Sequence, residues 1–247
     1  MNIRFDGKTV VVSGAGHGLG RAIARGFAAL GATVHGCDLD AAELAATASG
    51  FAAIRTTVLD LTDRAAAAAW IRAIGPIYCL VNNAGGVAGQ TMRPIEEVGD
   101  DDWDRIFAIN VGAAMALSRA AAPAMKAAGD GRIVNISSGA GLQASLTGIQ
   151  AYCSAKHAVV GLTRQLAHEL GAFGITVNSV APGFIRSNAA SERQWESYGA
   201  DGQRALVERI ALRRLGSAED IANAVIFFAS PLASFVSGQI IAVDGGK

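Results

Sequence analysis

The turn Gly14-Ala-Gly-His-Gly-Leu-Gly20 constrains this chain more than any other stretch. It follows Lys8–Ser13 (K-T-V-V-V-S), a β-branched run that reads as a buried strand. It precedes R-A-I-A-R-G-F-A-A-L, in which Ile23, Phe27 and Leu30 recur at helical spacing. Strand, glycine turn and helix in that order bring backbone N–H groups and a helix N-terminus to one point, an arrangement suited to a pyrophosphate. The spacing is G-x-x-x-G-x-G on Gly14, Gly18 and Gly20, because Leu19 stands where G-x-G-x-x-G has its third glycine.

The alternation then repeats. Thr33–Asp38, Ala53–Asp60, Ile77–Val81, Arg132–Ser137, Thr176–Ala181 and Ile240–Asp244 read as further strands. Arg64–Ile74, Asp102–Ala128 and Ala151–Gly171 read as helices, and Ser217-Ala-Glu-Asp220 as the cap of another. This predicts an α/β chain: one doubly wound domain over residues 1–247, with a central parallel sheet of about seven strands and helices on both faces. The polar stretch 184–204 is expected to be a loop with short helices covering the site. Ligands of such sheets bind beyond the carboxyl ends of the strands, where Asp38, Asp60, Asn82 and Ser138 all fall. Asp38 lies about twenty residues past the glycines, where a carboxylate accepts from a ribose 2′-hydroxyl and repels a 2′-phosphate. That favours NAD over NADP. Asp40-x-x-Glu43 resembles a capping box for the next helix. His17 stands where a chain selecting NADP would more comfortably carry Arg or Lys, and a structural role is expected for it.

Ser138 stands ahead of Tyr152-x-x-x-Lys156. On a helix, i,i+4 spacing puts the phenol and the ammonium on one face. A phenol titrates near pH 10 in water, and a nearby cation lowers that value, which makes the pair a plausible proton donor or acceptor. Asn110 falls inside the long helix, where Asn is mildly unfavourable and usually faces solvent.

Charge and cysteine usage set further bounds. Lys+Arg and Asp+Glu are equal at 21 each, so no basic surface invites nucleic acid or an anionic membrane. No apolar run reads as long and pure enough to span a bilayer, and the first residues lack a signal-peptide pattern. Cys37, Cys79 and Cys153 are far apart and odd in number, which fits a reduced, cytoplasmic setting. The four histidines form no ligand spacing, so no metal is expected.

Together and in order, these residues resemble the short-chain dehydrogenase/reductase family, from Lys8 to Val243–Gly246. The family's T-G-x-x-x-G-x-G appears with Ser13 for Thr, its N-N-A-G at Asn82–Gly85, its Y-x-x-x-K at Tyr152 and Lys156, and its P-G at Pro182–Gly183. Asp60-Leu-Thr62 resembles its D-x-T element. The resemblance implies a Rossmann-like fold, a homotetramer built on helices 102–128 and 151–171, and interconversion of a secondary alcohol and a ketone by hydride transfer. It implies that Tyr152 is the acid/base, that Lys156 lowers its pKa and binds the nicotinamide ribose, that Ser138 holds the substrate oxygen, and that Asn110 holds a water linking Lys156 to solvent. Ser138 is fourteen residues before Tyr152, one more than the family pattern suggests, which makes Ser137 the neighbouring candidate. The cofactor-binding set implied is Ser13, Gly14, Gly16, His17, Gly18, Leu19, Asp38, Leu39, Asp60, Leu61, Asn83, Ala84, Gly85, Tyr152, Lys156, Pro182, Gly183, Ile185 and Ser187. Gln143, Gln150, Arg186 and Trp195 are candidates for the substrate, a small sugar, polyol or sugar acid. The competing readings are an NADPH-dependent 3-oxoacyl-carrier-protein-type reductase and a non-catalytic dinucleotide-binding regulator. Asp38 and His17 count against the first, and the presence of Asn110, Ser138, Tyr152 and Lys156 against the second.

Overall fold

In the computed structural model, which describes residues 3–247, seven parallel strands form one sheet in the order β3-β2-β1-β4-β5-β6-β7. The strands are β1 (Thr9–Ser13), β2 (Thr33–Asp38), β3 (Ile54–Val58), β4 (Cys79–Asn82), β5 (Gly131–Ile136), β6 (Ile175–Pro182) and β7 (Ile240–Val243). The helices are α1 (Gly18–Ala29), α2 (Ala41–Ala48), α3 (Arg64–Ile74), α4 (Asp100–Phe107), α5 (Ala113–Ala128), α6 (Gln150–Leu170), α7 (Ala189–Ser197), α8 (Gly199–Glu208) and α9 (Ala218–Ala229). The strands read as apolar runs because both faces of the sheet are covered. Val10, Val12, Val34, Val134 and Val180 pack with Phe27 of α1 and Phe228 of α9 on one face. Val11, Leu80, Ile133 and Val177 pack with Ile71 of α3 and Leu117 and Met125 of α5 on the other. The alternation of Val10, Val11 and Val12 between the two layers is the two-residue period of a strand. The chain order reverses between β1 and β4, which opens a crevice at their carboxyl ends.

Three local expectations are corrected. The long helix runs unbroken over Asp100–Ala128 but is not regular, because a π-helical turn, Ala108–Gly112, joins α4 to α5. The 29-residue run Asp100–Ala128 is also long and apolar enough to cross a membrane, with a mean hydropathy of 1.3 in its best window, against the expectation that no such run exists. Half of that window is buried in the protein, as in a core helix. The capping box at Asp40 is half made: its carboxylate accepts from the N–H groups of Ala42 (2.9 Å) and Glu43 (3.0 Å), while the Glu43 side chain turns away to pair with Arg21. At α9 both halves form, between Ser217 and Asp220. The stretch 184–204 holds α7 and the start of α8, and Asn188 and Ser191 form a reciprocal cap at the first of them.

Candidate active site

A cleft of about 420 Å³ runs along the carboxyl ends of β1, β2, β4, β5 and β6. Its floor is the glycine loop. A Cβ at Gly20 would lie 1.9 Å from the Gly14 carbonyl oxygen, so only glycine lets α1 start that close to β1. Gly14 and Gly18 take the left-handed backbone at φ 65° and 54°. The loop is braced from behind. Thr47 Oγ1 reaches the carbonyls of Ala15 and Gly16, both at 2.9 Å, and Arg21 Nη2 donates to the Gly16 carbonyl at 2.6 Å. Sequence reading missed this Arg21–Thr47–Glu43 brace, because its members come from two helices whose packing is not a local property. The first-turn N–H groups of α1 have no side-chain cap, an arrangement open to an anion.

Ser13 is buried and does not line the cleft. Its Oγ accepts from the N–H groups of Asn83 and Ala84, each at 3.0 Å, and Asn83 Nδ2 donates to the carbonyls of Ser13 and Gly14, also at 3.0 Å. Ser13 and Asn83 therefore stitch β1 to β4 at the cleft floor. Gly16 and Gly18 likewise act through backbone shape, while Gly14, His17, Leu19, Asp38, Leu39, Asp60, Leu61, Asn83, Ala84, Gly85, Pro182, Gly183, Ile185 and Ser187 all line the cleft. His17 is exposed at the N-cap position of α1, where its carbonyl accepts from the Arg21 N–H at 3.2 Å and its side chain makes no capping hydrogen bond. Asp38 Oδ2 accepts from the Gly16 N–H at 2.9 Å, which holds the carboxylate against the glycine loop. Asp60 accepts from the Thr62 hydroxyl (2.7 Å) and N–H (2.8 Å), and these bonds, the hydroxyl first, keep its carboxyl below its ordinary value.

Asn110 is buried on the π-helical turn, not turned to solvent. Its Nδ2 donates back to the Ile106 carbonyl, one turn earlier, at 2.9 Å. The same nitrogen donates to the Gly86 carbonyl at 2.8 Å, and Oδ1 accepts from the Gly86 N–H at 3.0 Å. Both polar ends of Asn110 thus clamp the Gly85–Gly86 turn. A Cβ at Gly85 would sit 2.5 Å from Asn110 Oδ1 and 3.4 Å from Lys156 Nζ, so glycine is what lets these side chains flank the cleft together.

Ser137 and Ser138 point apart. The Ser137 hydroxyl is buried and donates to the Lys156 carbonyl at 3.0 Å. Ser138 Oγ accepts from the Ala140 N–H at 3.1 Å, and Ser138 lines both the cleft and an adjoining cavity of about 180 Å³. Tyr152, Pro182, Gly183 and Ile185 border both spaces too. Lys156 is buried, donates from Nζ to the Ile136 carbonyl at 3.0 Å, and lies 5.7 Å from the centroid of the Tyr152 ring. Burial pushes the Lys156 ammonium down to about 8. The expected lowering of Tyr152 by this cation is not met in the chain alone: burial raises the phenol, and the Ser138 hydroxyl beside it works in the opposite direction.

Of the four substrate candidates only Gln143 borders the inner cavity. Gln150 Nε2 is turned to the Arg93 carbonyl at 2.8 Å, Arg186 is forked onto Glu192 at 2.8 Å, and Trp195 stacks on Phe184 at 6.0 Å between ring centroids. Gln150 and Arg186 thus have partners outside the cavity, while Trp195 stacks on Phe184, which does line it. Ser145, Thr147, Ser191, Gln194, Asp244 and Lys247 line it instead.

The burial of Lys156 leaves a stability signature. With a folded value of about 8 against an ordinary 10.5, the unfolded chain binds the extra proton between those pH values, so folding stability rises with pH across that window. The difference in denaturation free energy between the cofactor-free protein and Lys156→Met is expected to be flat below pH 8. It then shifts toward the wild type by on the order of 3 kcal/mol by pH 10.5. Buried Cys37 and Cys79, both raised to about 12, act the opposite way above pH 9 but cancel in the difference. A flat difference across the whole range would mean that Lys156 is hydrated.

A family model described as enoyl-(acyl carrier protein) reductase matches residues 14–247. The 2-keto-3-deoxy-L-fuconate dehydrogenase of Xanthomonas campestris pv. campestris is 36% identical over 99% of this chain and 81% of its own length. The 3-oxoacyl-[acyl-carrier-protein] reductase of Escherichia coli is 36% identical over 99% of this chain and 98% of its own. A crystal structure from Beutenbergia cavernae, described as an NAD(P)-dependent gluconate 5-dehydrogenase with NADP bound at low occupancy, superposes with a TM-score of 0.89. It is 38% identical and covers 100% of this chain and 98% of that one. The family model and these relatives span nearly the whole chain, and the chain belongs to the short-chain dehydrogenase/reductase family of oxidoreductases.

Proposed function

We propose that this chain is a dehydrogenase interconverting a secondary alcohol and a ketone on a small sugar, polyol or sugar acid, with NAD preferred. The observation that carries the reading is the position of Ser138 and Tyr152 on the wall shared by the long cleft and the small inner cavity. The cleft fits a dinucleotide: the glycine floor has no room for side chains, the uncapped α1 N-terminus would receive a pyrophosphate, and Asp38 on the cleft wall would accept from the adenosine ribose. When bound, the nicotinamide supplies the hydride chemistry. The chain's own residues do the rest. Ser138 Oγ holds the substrate oxygen where charge develops. Tyr152 Oη gives that oxygen a proton or takes one from it. Lys156, cationic below pH about 8, favours the phenolate once the site fills. Asn110 fixes the Gly85–Gly86 turn beside it, and Ile185 and Ser187, which line the cleft, would flank a bound nicotinamide. The inner cavity of about 180 Å³ is small beside drug-sized sites of roughly 300–1000 Å³, which favours a short substrate over a steroid. The relatives named for sugar acids support that choice. The reading carries a homotetramer with α4, α5 and α6 packed on partner copies, and a reduced, cytoplasmic setting for the three free cysteines.

The E. coli relative favours a second reading, reduction of a 3-oxoacyl thioester with NADPH. Initial rates at 340 nm separate the two. Purified protein with NAD and a panel of polyols, aldoses and sugar acids is expected to form NADH, and to do so more slowly with NADP. Silence on every alcohol together with NADPH oxidation by a 3-oxoacyl thioester would replace the first reading with the second.

A further inference from the structure

The inner cavity carries two charged side chains, Asp244 and Lys247. They reach it because β7 pairs with β6 in a register that sets Val243 beside Pro182. The following turn then packs on the Pro182–Gly183 segment so tightly that a Cβ at Gly183 would lie 2.8 Å from the Asp244 Cβ. Asp244 is engaged within its own turn, where Oδ1 accepts from the N–H groups of Gly246 (2.9 Å) and Lys247 (3.4 Å). Lys247 is different. Arg186 on the covering segment has a carboxylate partner, Glu192 at 2.8 Å. Among the described residues the Lys247 ammonium has no such bridge. Partial burial and the charge of Arg209 push it below its ordinary value, and Asp244 offsets this only in part. It is an ammonium without an ion-pair partner at the rim of a cavity whose other polar liners, apart from the Asp244 carboxylate held in its own turn, are amides and hydroxyls such as Gln143, Ser145, Thr147, Ser191 and Gln194.

We infer that Lys247 reads the carboxylate of the substrate, so that the cavity takes a short polyhydroxy acid with its acid end at the rim and its reacting carbinol against Ser138 and Tyr152. The inference rests on the dehydrogenase reading and narrows it from hydroxylated compounds to acids. The neutral liners bind the hydroxyls of acid and polyol alike, and Asp244 is held by the N–H groups of its own turn, so the ammonium supplies the difference in favour of the acid.

The test compares binding of D-gluconate and of D-glucitol, its neutral counterpart, to the protein saturated with NAD, by calorimetry. The wild type is expected to prefer the acid about fivefold, the range of a partly exposed ion pair, and to lose the preference as ionic strength rises to about 1 M. Lys247→Met is expected to abolish the preference and Lys247→Arg to keep it. A preference that survives in Lys247→Met, or a wild type with none, overturns the inference. Turnover is read separately. NAD reduction by polyols without acid preference would sink the inference and leave the dehydrogenase reading standing. Acid-selective binding with no turnover of any alcohol would do the reverse.

Discussion

Tyr152→Phe is expected to lower kcat by roughly 100- to 10,000-fold, the range of a positioned general acid or base. The substitution removes one oxygen and little else. The Tyr152 ring packs with Ile106, Ile149, Ala151 and Ala155, and a phenylalanine ring keeps those contacts. Cofactor affinity, read by fluorescence titration, should therefore change by less than about threefold, while single-turnover hydride transfer carries the whole loss. Ser138→Ala should cost less, on the order of 100-fold, since it removes one donor to the developing charge and leaves the proton route intact. The unliganded site explains why Tyr152 needs its surroundings. Burial alone holds the phenol protonated, and the Lys156 ammonium is directed at the Ile136 carbonyl. A positive charge brought beside the ring by oxidised cofactor would favour the phenolate, so the base is armed by the complex rather than by the chain alone. An unchanged kcat in Tyr152→Phe would put the proton on another group.

Much of this was legible in the sequence because parallel, doubly covered strands read as short apolar runs. Thr33–Asp38 and Arg64–Ile74 have the boundaries their residues predict. What the residues could not convey was long-range. The i,i+4 spacing puts Tyr152 and Lys156 on one face of α6, but it cannot say that the Ile136 carbonyl, twenty positions upstream on β5, takes the ammonium. Helix propensity marks Asn110 as out of place, yet the compensation is a π-helical turn plus a glycine pair from the β4 loop, both set by packing. Polarity in 184–204 was read as a substrate surface, but Arg186 and Trp195 spend their polar and aromatic faces on each other and on Glu192 and Phe184. The stretch Asp244–Lys247 carried no motif beyond V-D-G-G. Its place at the cavity follows from β7 closing the sheet beside β6.

Asp38 is expected to hold cofactor choice, with a kcat/KM ratio for NAD over NADP on the order of 100. A 2′-phosphate brought within about 4 Å of this carboxylate meets up to ~4 kcal/mol per pair of unit charges at an effective dielectric near 20, and screening reduces that toward the ~3 kcal/mol of a 100-fold ratio. Removing the side chain confounds two effects, because Asp38 Oδ2 also accepts from the Gly16 N–H that shapes the glycine loop. Asp38→Ala should raise NADP use and weaken both cofactors together. Asp38→Asn separates the two better: its amide oxygen keeps an acceptor for Gly16, while the charge and the Oδ1 acceptor for the Leu39 N–H at 2.7 Å are lost. The NAD-to-NADP ratio in Asp38→Asn should fall below about tenfold, with kcat/KM for NAD within about fivefold of wild type. The gain for NADP has a ceiling, since the Arg21 guanidinium behind the glycine loop is already held by the Gly16 carbonyl, Thr47 and Glu43 and is not free to receive a phosphate. A ratio in Asp38→Asn equal to that of the wild type would mean that discrimination comes from the shape of the ribose site, and the carboxylate would then serve the loop alone.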